Sequence, residues 1–237
     1  MLTDLIIGKG EVGLSLGKVL ERVGHTVYYQ DQGVITAPQL FYGAIHVCIP
    51  YSDTFVDTVK DYMTYNFTGD LVIIHSTVEV GTTRLLGDEY VYSFVRGRHP
   101  HLEDEMTKFT KHIGGINQER VVETAKYLQE VGFTTRIHET PEAVELGKLW
   151  DTTYFGICIA ATKLAKEMAD HYGIDYQEIA AINATYNSGM MAVDQPQFVR
   201  PQLIPPEGRI GGHCVTANTE ILYKTFKHPL IKAVLDV

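Results

Sequence analysis

The chain has 237 residues, 45% of them hydrophobic, with 20 Lys and Arg against 29 Asp and Glu, a net charge of −9. That length suits one large domain or two unequal ones, and the excess of acid argues against a broad surface for nucleic acid or anionic membrane. Three widely spaced cysteines, Cys48, Cys158 and Cys214, indicate neither a disulfide framework nor a thiolate zinc site. The opening "MLTDLIIGKG" lacks the basic and long apolar regions of a secretion signal, so a cytoplasmic protein is expected.

Residues 4–31 run as apolar strand, glycine turn, helix, glycine stop and second strand ending at Asp31, a complete βαβ opening. Gly8, Gly10 and Gly13 form GxGxxG with Glu11 and Val12 between them. Such a turn bares backbone N–H groups and a helix N-terminus to a pyrophosphate, and Asp31 is placed to accept hydrogen bonds from a ribose diol, favouring NAD over NADP. Further strands are expected at 44–50 and 70–77, separated by a helix. Their ends, at Pro50 and at Ser76-Thr77, should face the cofactor, because ligands of open α/β sheets lie beyond the carboxyl ends of the strands. A strand from "EYVYSF", a polar loop "HPHLEDE", a short strand "KHIGGI", the helix "QERVVETAKYLQEVG" and the strand "FTTRIHE" complete a parallel, doubly wound sheet domain of residues 1–140.

Residues 141–237 read as a smaller helical domain. Thr140 and Pro141 provide an N-cap and a first-turn proline for a long central helix, Pro141 to His171. Leu146, Leu149, Trp150, Ile157, Ala161, Leu164 and Met168 keep helical spacing, so one stripe should face a core or a partner subunit, with Trp150 and the tyrosines mostly packing. A second helix follows, capped by Asp175 with Glu178 at box spacing. The Pro-rich 194–208 is expected as an ordered loop. Beyond it, "GRIGGHCVTANTEIL" places Cys214 after a glycine pair, where a loop could present a thiol to a bound molecule. Cys48, inside an apolar strand, and Cys158 are expected as core thiols. His99, His101 and His213 are not expected to bind a metal.

The motifs "GKGEVG", "HSTVEVGTT", "HPHLEDE", "ELGKLWDTT" and "GGHCVTAN", in this order, resemble the UDP-glucose/GDP-mannose dehydrogenase family over nearly the whole chain. The resemblance implies a Rossmann-type doubly wound domain, a long helix used in dimerisation, and NAD-dependent oxidation of a primary alcohol of a sugar-like small molecule to the carboxylate. It casts Cys214 as the nucleophile that forms a thiohemiacetal and then a thioester, Lys148 as the ammonium that stabilises a developing oxyanion, Thr77 as a water-positioning group and Glu105 as an acid of the catalytic loop. Three positions depart from the pattern: Thr152 stands for the family's asparagine, Asn218 for its aspartate and His101 for a glutamate, so His101 is the substitute base. The family's C-terminal nucleotide-binding domain is expected to be missing. Two alternatives follow, an NAD-binding remnant serving as a binding or regulatory subunit, and a single-step dehydrogenase of the prephenate or hydroxyacid kind.

Overall fold

The computed structural model describes residues 2–210 and 213–237. Seven strands lie in the order β2-β1-β3-β4-β5-β6-β7: β1 (Thr3–Ile7), β2 (Thr26–Gln30), β3 (Phe41–Val47), β4 (Thr68–Ile74), β5 (Tyr90–Tyr92), β6 (Lys111–Gly115) and β7 (Thr135–Ile137). Neighbours run parallel except β5 and β6, which are antiparallel with Val91 opposite Gly115. The expected all-parallel sheet is corrected at this one pair. The polar segment between β5 and β6 carries only the short helix α4 (Leu102–Glu105) and a single tight turn, not a full crossover helix, and the chain returns in the opposite direction.

The central strands are covered on both faces, which is why "DLII" and "AIHV" read as nearly continuous apolar runs. One face packs Ile6, Ala44, Leu71, Ile73 and Val91 beneath α1 (Glu11–Arg22) and α5 (Gln118–Glu130), which contribute Leu16, Leu20, Val121 and Leu128. The other packs Leu5, Tyr42, Ile45, Ile74 and Tyr92 beneath Phe55 and Val59 of α2 (Phe55–Tyr65). A short α3 (Thr82–Leu86) follows β4, and the buried Glu145 carboxylate accepts from the Gly81 and Thr83 N–H groups and from the Thr83 hydroxyl at its start, 2.6–2.8 Å away.

The chain divides into two compact units, Met1–Lys148 and Leu149–Val237, and the division falls inside α6 (Pro141–His171). That helix has the expected bounds, and the Thr140 hydroxyl accepts from Ala143 N–H at its first turn. In the second unit α7 (Tyr176–Ala192) is capped by Asp175, which accepts from Gln177 N–H at 3.0 Å. The Pro-rich segment is tied to α7 by Asn187, whose side chain donates to the Arg200 carbonyl and accepts from Arg200 N–H, both at 2.9 Å. The last helices are α8 (His213–Thr225) and α9 (Pro229–Asp236). Their cores are small, Leu149 with Leu222 and Ile231, and Ile210 with Val215 and Val234. Among the described residues no helix is long and apolar enough to cross a membrane.

Candidate functional site

The strand order reverses beside β1, since β2 lies on one side of it and β3 on the other. A crevice at the carboxyl ends of such strands is the usual ligand position in an open α/β sheet. Gly8 turns there with φ +106°, and a Cβ added to it would meet the Cys48 carbonyl oxygen at 2.6 Å. At Gly13 a Cβ would lie 2.0 Å from the Gly8 carbonyl oxygen, so only glycine lets α1 start this close to β1. Gly10, at the N-cap of α1, has nothing within 4 Å of its Cβ position. Two glycines therefore close the turn and the third leaves open space at the helix N-terminus, where free N–H groups and the helix dipole favour an anion. Glu11 is exposed and Val12 half-buried at that terminus.

Asp31 follows β2 directly, with Oδ1 accepting from Gln32 N–H at 2.9 Å. The neighbouring Gln30 is fully buried: its amide nitrogen donates to the Asp31 and Val34 carbonyls, and its oxygen accepts from Thr36 and Ala37 N–H. This residue shapes the segment carrying the acid. The sequence reading missed it because it looked like one more position of a strand. Pro50 is exposed beyond β3, while Ser76 is buried and Thr77 half-buried beyond β4. Cys48 lies just past β3 rather than inside it, and burial pushes its thiol up to about 12, which leaves it inert.

In the same unit the polar loop folds back on α1. His99 Nδ1 is 2.6 Å from Glu11 Oε1, and Arg22 reaches both Glu103 and Asp104. His101 is exposed at the N-cap of α4. Glu105 is engaged by Arg98, which approaches through its side chain at 3.0 Å and its backbone N–H at 3.0 Å. Hydrogen bonding from the Arg98 side chain, more than any other cause, holds the Glu105 carboxyl down at about 2. It is therefore an anion at neutral pH. Lys148 donates to the Val95 carbonyl at 3.2 Å and stands 5.3 Å from the centre of the Phe94 ring.

The second unit brings two more candidates together. Asn218 is buried and its amide donates to the Thr152 hydroxyl at 3.2 Å, which in turn donates to the Leu149 carbonyl. Two of the three departures from the family pattern thus meet as one neutral hydrogen-bonded pair. Cys214 is exposed, in the first turn of α8 and one helical turn before Asn218. The expected cysteine loop is corrected to a helix start, because the residues after the cysteine continue as a helix; Gly211 and Gly212 lie outside the described residues. Cys158 is half-buried and lines a cavity of about 220 Å³ with Tyr176 and Arg200 instead of sitting in the core. Trp150 and Tyr154 are half exposed and lie against each other, their ring centres 5.7 Å apart.

No family model and no curated sequence matches the chain. Solved structures do. A UDP-D-ManNAc dehydrogenase from Pyrococcus horikoshii is 18% identical, with a TM-score of 0.77 over 99% of this chain and 68% of its own. A UDP-glucose dehydrogenase from Pyrobaculum islandicum is 15% identical, with a TM-score of 0.76 over 100% of this chain and 67% of its own. The 3-hydroxyisobutyrate dehydrogenase of Mycobacterium tuberculosis, solved with L-serine, is 14% identical, with a TM-score of 0.75 over 100% of this chain and 92% of its own. The chain spans about two thirds of the length of the sugar dehydrogenases and nearly all of the hydroxyacid enzyme. At these identities the likeness establishes a shared fold, a Rossmann-type sheet followed by helices.

Proposed function

We propose that the chain is an NAD-dependent oxidoreductase acting on a primary alcohol of a sugar-like small molecule. In this reading residues 1–140 serve the cofactor and 141–237 supply the cysteine. The observation that carries it is the glycine turn: Gly8 and Gly13 cannot hold a Cβ, while the space beside Gly10 at the start of α1 is open. This arrangement fits a pyrophosphate, and Asp31 fits a ribose diol better than a 2′-phosphate. Glu11, Val12, Pro50, Ser76 and Thr77 complete the cofactor set. Bound there, NAD would accept a hydride from the alcohol carbon. Lys148 would hold the alcohol oxygen as it gains negative charge, and the seat on Val95 and Phe94 limits where its ammonium can go. His101 is the base, and Glu105 bears on the reaction as a fixed anion. Thr152 and Asn218 orient the helix turn that carries Cys214 and do no proton chemistry themselves.

Cys214 is read as the nucleophile that lets an aldehyde be oxidised again. Its exposure in the first turn of α8 leaves the sulfur open to a bound molecule. The half-exposed Leu146, Trp150, Leu164 and Met168 support a homodimer through α6. A cytoplasmic setting suits the odd number and spacing of the cysteines.

NADH formed per molecule of alcohol tests this. Two per substrate in the wild type, falling to one or none in Cys214→Ser, is the expected result. The coverage of nearly the whole hydroxyacid enzyme favours one second reading, single-step oxidation, which gives one NADH in both proteins. No NADH with any alcohol, alongside intact NAD binding, would leave a binding or regulatory subunit.

A further inference from the structure

A line of ionisable side chains crosses the interior of the first unit, separate from the candidate site. At the amino ends of the strands, His25 Nδ1 lies 2.5 Å from Asp4 Oδ2, and the Tyr127 hydroxyl donates to the same oxygen at 3.0 Å. Tyr127 Oη is 3.0 Å from His46 Nε2, and His46 Nδ1 is 2.9 Å from His75 Nε2. At the carboxyl ends, His75 Nδ1 is 3.1 Å from Lys111 Nζ, which also donates to the Ser93 and Phe94 carbonyls at 2.6 and 2.7 Å. Asp4, His46, His75, Lys111 and Tyr127 are all buried, whereas the His25 side chain keeps a tenth of its surface in solvent. Cys48 and Lys148 are the other groups whose charge bears on Lys111.

Donor counting gives this line a direction. Because Tyr127 donates to Asp4, its oxygen accepts from His46 Nε2–H. His46 Nδ1 then carries the lone pair and accepts from His75 Nε2–H, and His75 Nδ1 accepts from Lys111. The three protons of an ammonium match the three acceptors around Lys111. Yet His75 Nδ1 is also 2.6 Å from the Ser93 carbonyl oxygen, a separation that calls for a proton on the nitrogen. That demand is met when one Lys111 proton moves to His75, leaving an amine whose two N–H groups still serve Ser93 and Phe94. His75 holds that proton only in passing, because burial and the neighbouring Lys111 charge push its ring well below the ordinary imidazole range.

We propose that this line is a proton relay, in which a proton taken up at Lys111 passes through His75, His46 and Tyr127 to Asp4 and leaves through His25. His75 and His46 each take a proton on one nitrogen as they give one from the other. At the outer end the proton shared in the short Asp4–His25 contact moves onto His25 Nδ1 as the Tyr127 proton reaches Asp4, and His25 releases its Nε2 proton to solvent, so one proton enters and one departs. Burial pushes Lys111 down to about 7, which lets it gain and lose a proton near neutrality. Its inner end adjoins the candidate site, since His75 precedes Ser76 and Thr77, and the Ser93–Phe94 carbonyls precede the Val95 carbonyl that holds Lys148. Alcohol oxidation by a nicotinamide releases one proton for each hydride transferred, and use of the relay to carry that proton out rests on the reading above.

Solvent exchange of the His75 ring N–H and Lys111 Nζ protons, followed by NMR in the full chain without cofactor or substrate, tests the relay. The expected rates exceed those of the Ile73 and Ile113 backbone amides, in strands β4 and β6, by roughly tenfold or more. Tyr127→Phe removes one hydroxyl and keeps the ring. It should slow the two side-chain exchanges by about tenfold and leave both amides unchanged. His25→Gln, at the outer end, should do the same and serves if Tyr127→Phe does not fold. Unaltered side-chain rates in these variants would overturn the relay, as would side-chain protons that exchange in step with the amides, the mark of local opening. A chain that passes this test but oxidises no alcohol contradicts only the proposed reaction.

Discussion

The first unit closes its core on both faces of a sheet, with Leu5, Ile6, Ile7, Ile45, Ile73 and Ile74 fully buried, while the second leaves Trp150, Tyr154, Phe155, Leu164 and Met168 about half exposed. The sheet can bury its strands from both sides within one unit, whereas a single long helix has more apolar surface than two small clusters can cover. The proposed cofactor turn therefore sits in the unit with the more fully closed core. The second is the part whose stability should respond to association.

Core truncation gives the largest expected effect. Ile73→Ala, beneath α1 and α5, should lower the stability of the first unit by about 2–5 kcal/mol in chemical denaturation, independent of protein concentration. The transition assigned to the second unit should shift with concentration if α6 pairs with a copy of itself. A concentration-dependent first unit, or an indifferent second one, would reverse the contrast.

Next in size is the dependence of stability on pH, which belongs to the first unit. Burial lowers Lys111 to about 7 against an ordinary value of 10.5, so between these values the unfolded chain binds more protons and stability rises with pH. His46 is lowered to about 4 from 6.5, again mainly by burial, so its contribution is present above 6.5 and lost as pH falls toward 4. Each group adds a slope of at most about 1.4 kcal/mol per pH unit in its window. Lys111→Met should flatten the upper window, and His46→Phe combined with His75→Phe the lower one, which His75 shares because burial lowers it too, as read from denaturation midpoints across pH. Slopes that survive these changes would assign the dependence to other groups.

The smallest effects compare the units through their helix caps. Asn117 accepts from Glu119 and Arg120 N–H at the start of α5, and Asp175 accepts from Gln177 N–H at the start of α7. Either residue changed to Ala should cost about 1 kcal/mol, each in its own unit's transition. A cap change felt equally in both transitions would mean the units unfold together.

Much of this fold was legible in the residues because local signals mark it. Thr140-Pro141 announces the start of α6, Asp175 the start of α7, and the glycine spacing the turn before α1. The direction of β6 was not, since alternation of residue types is the same for either pairing. Nothing local marks His46 and His75, at two apolar strands, or Lys111, at the head of a short one, as partners. Their meeting depends on strand register, which sets His46 opposite Ile73 and brings the start of β6 beside the end of β5. The Thr152–Asn218 pair was read as two separate departures, because sequence distance hides a contact between two helices of one unit.

Calorimetric titration with NAD of the wild type and of Gly13→Val tests the central claim most directly. The account predicts saturable binding at one site in the wild type and its loss in a variant that keeps the native circular dichroism, because the added side chain must displace the Gly8 carbonyl that shapes the turn. Equal binding by the two proteins, or none by the wild type, would contradict it.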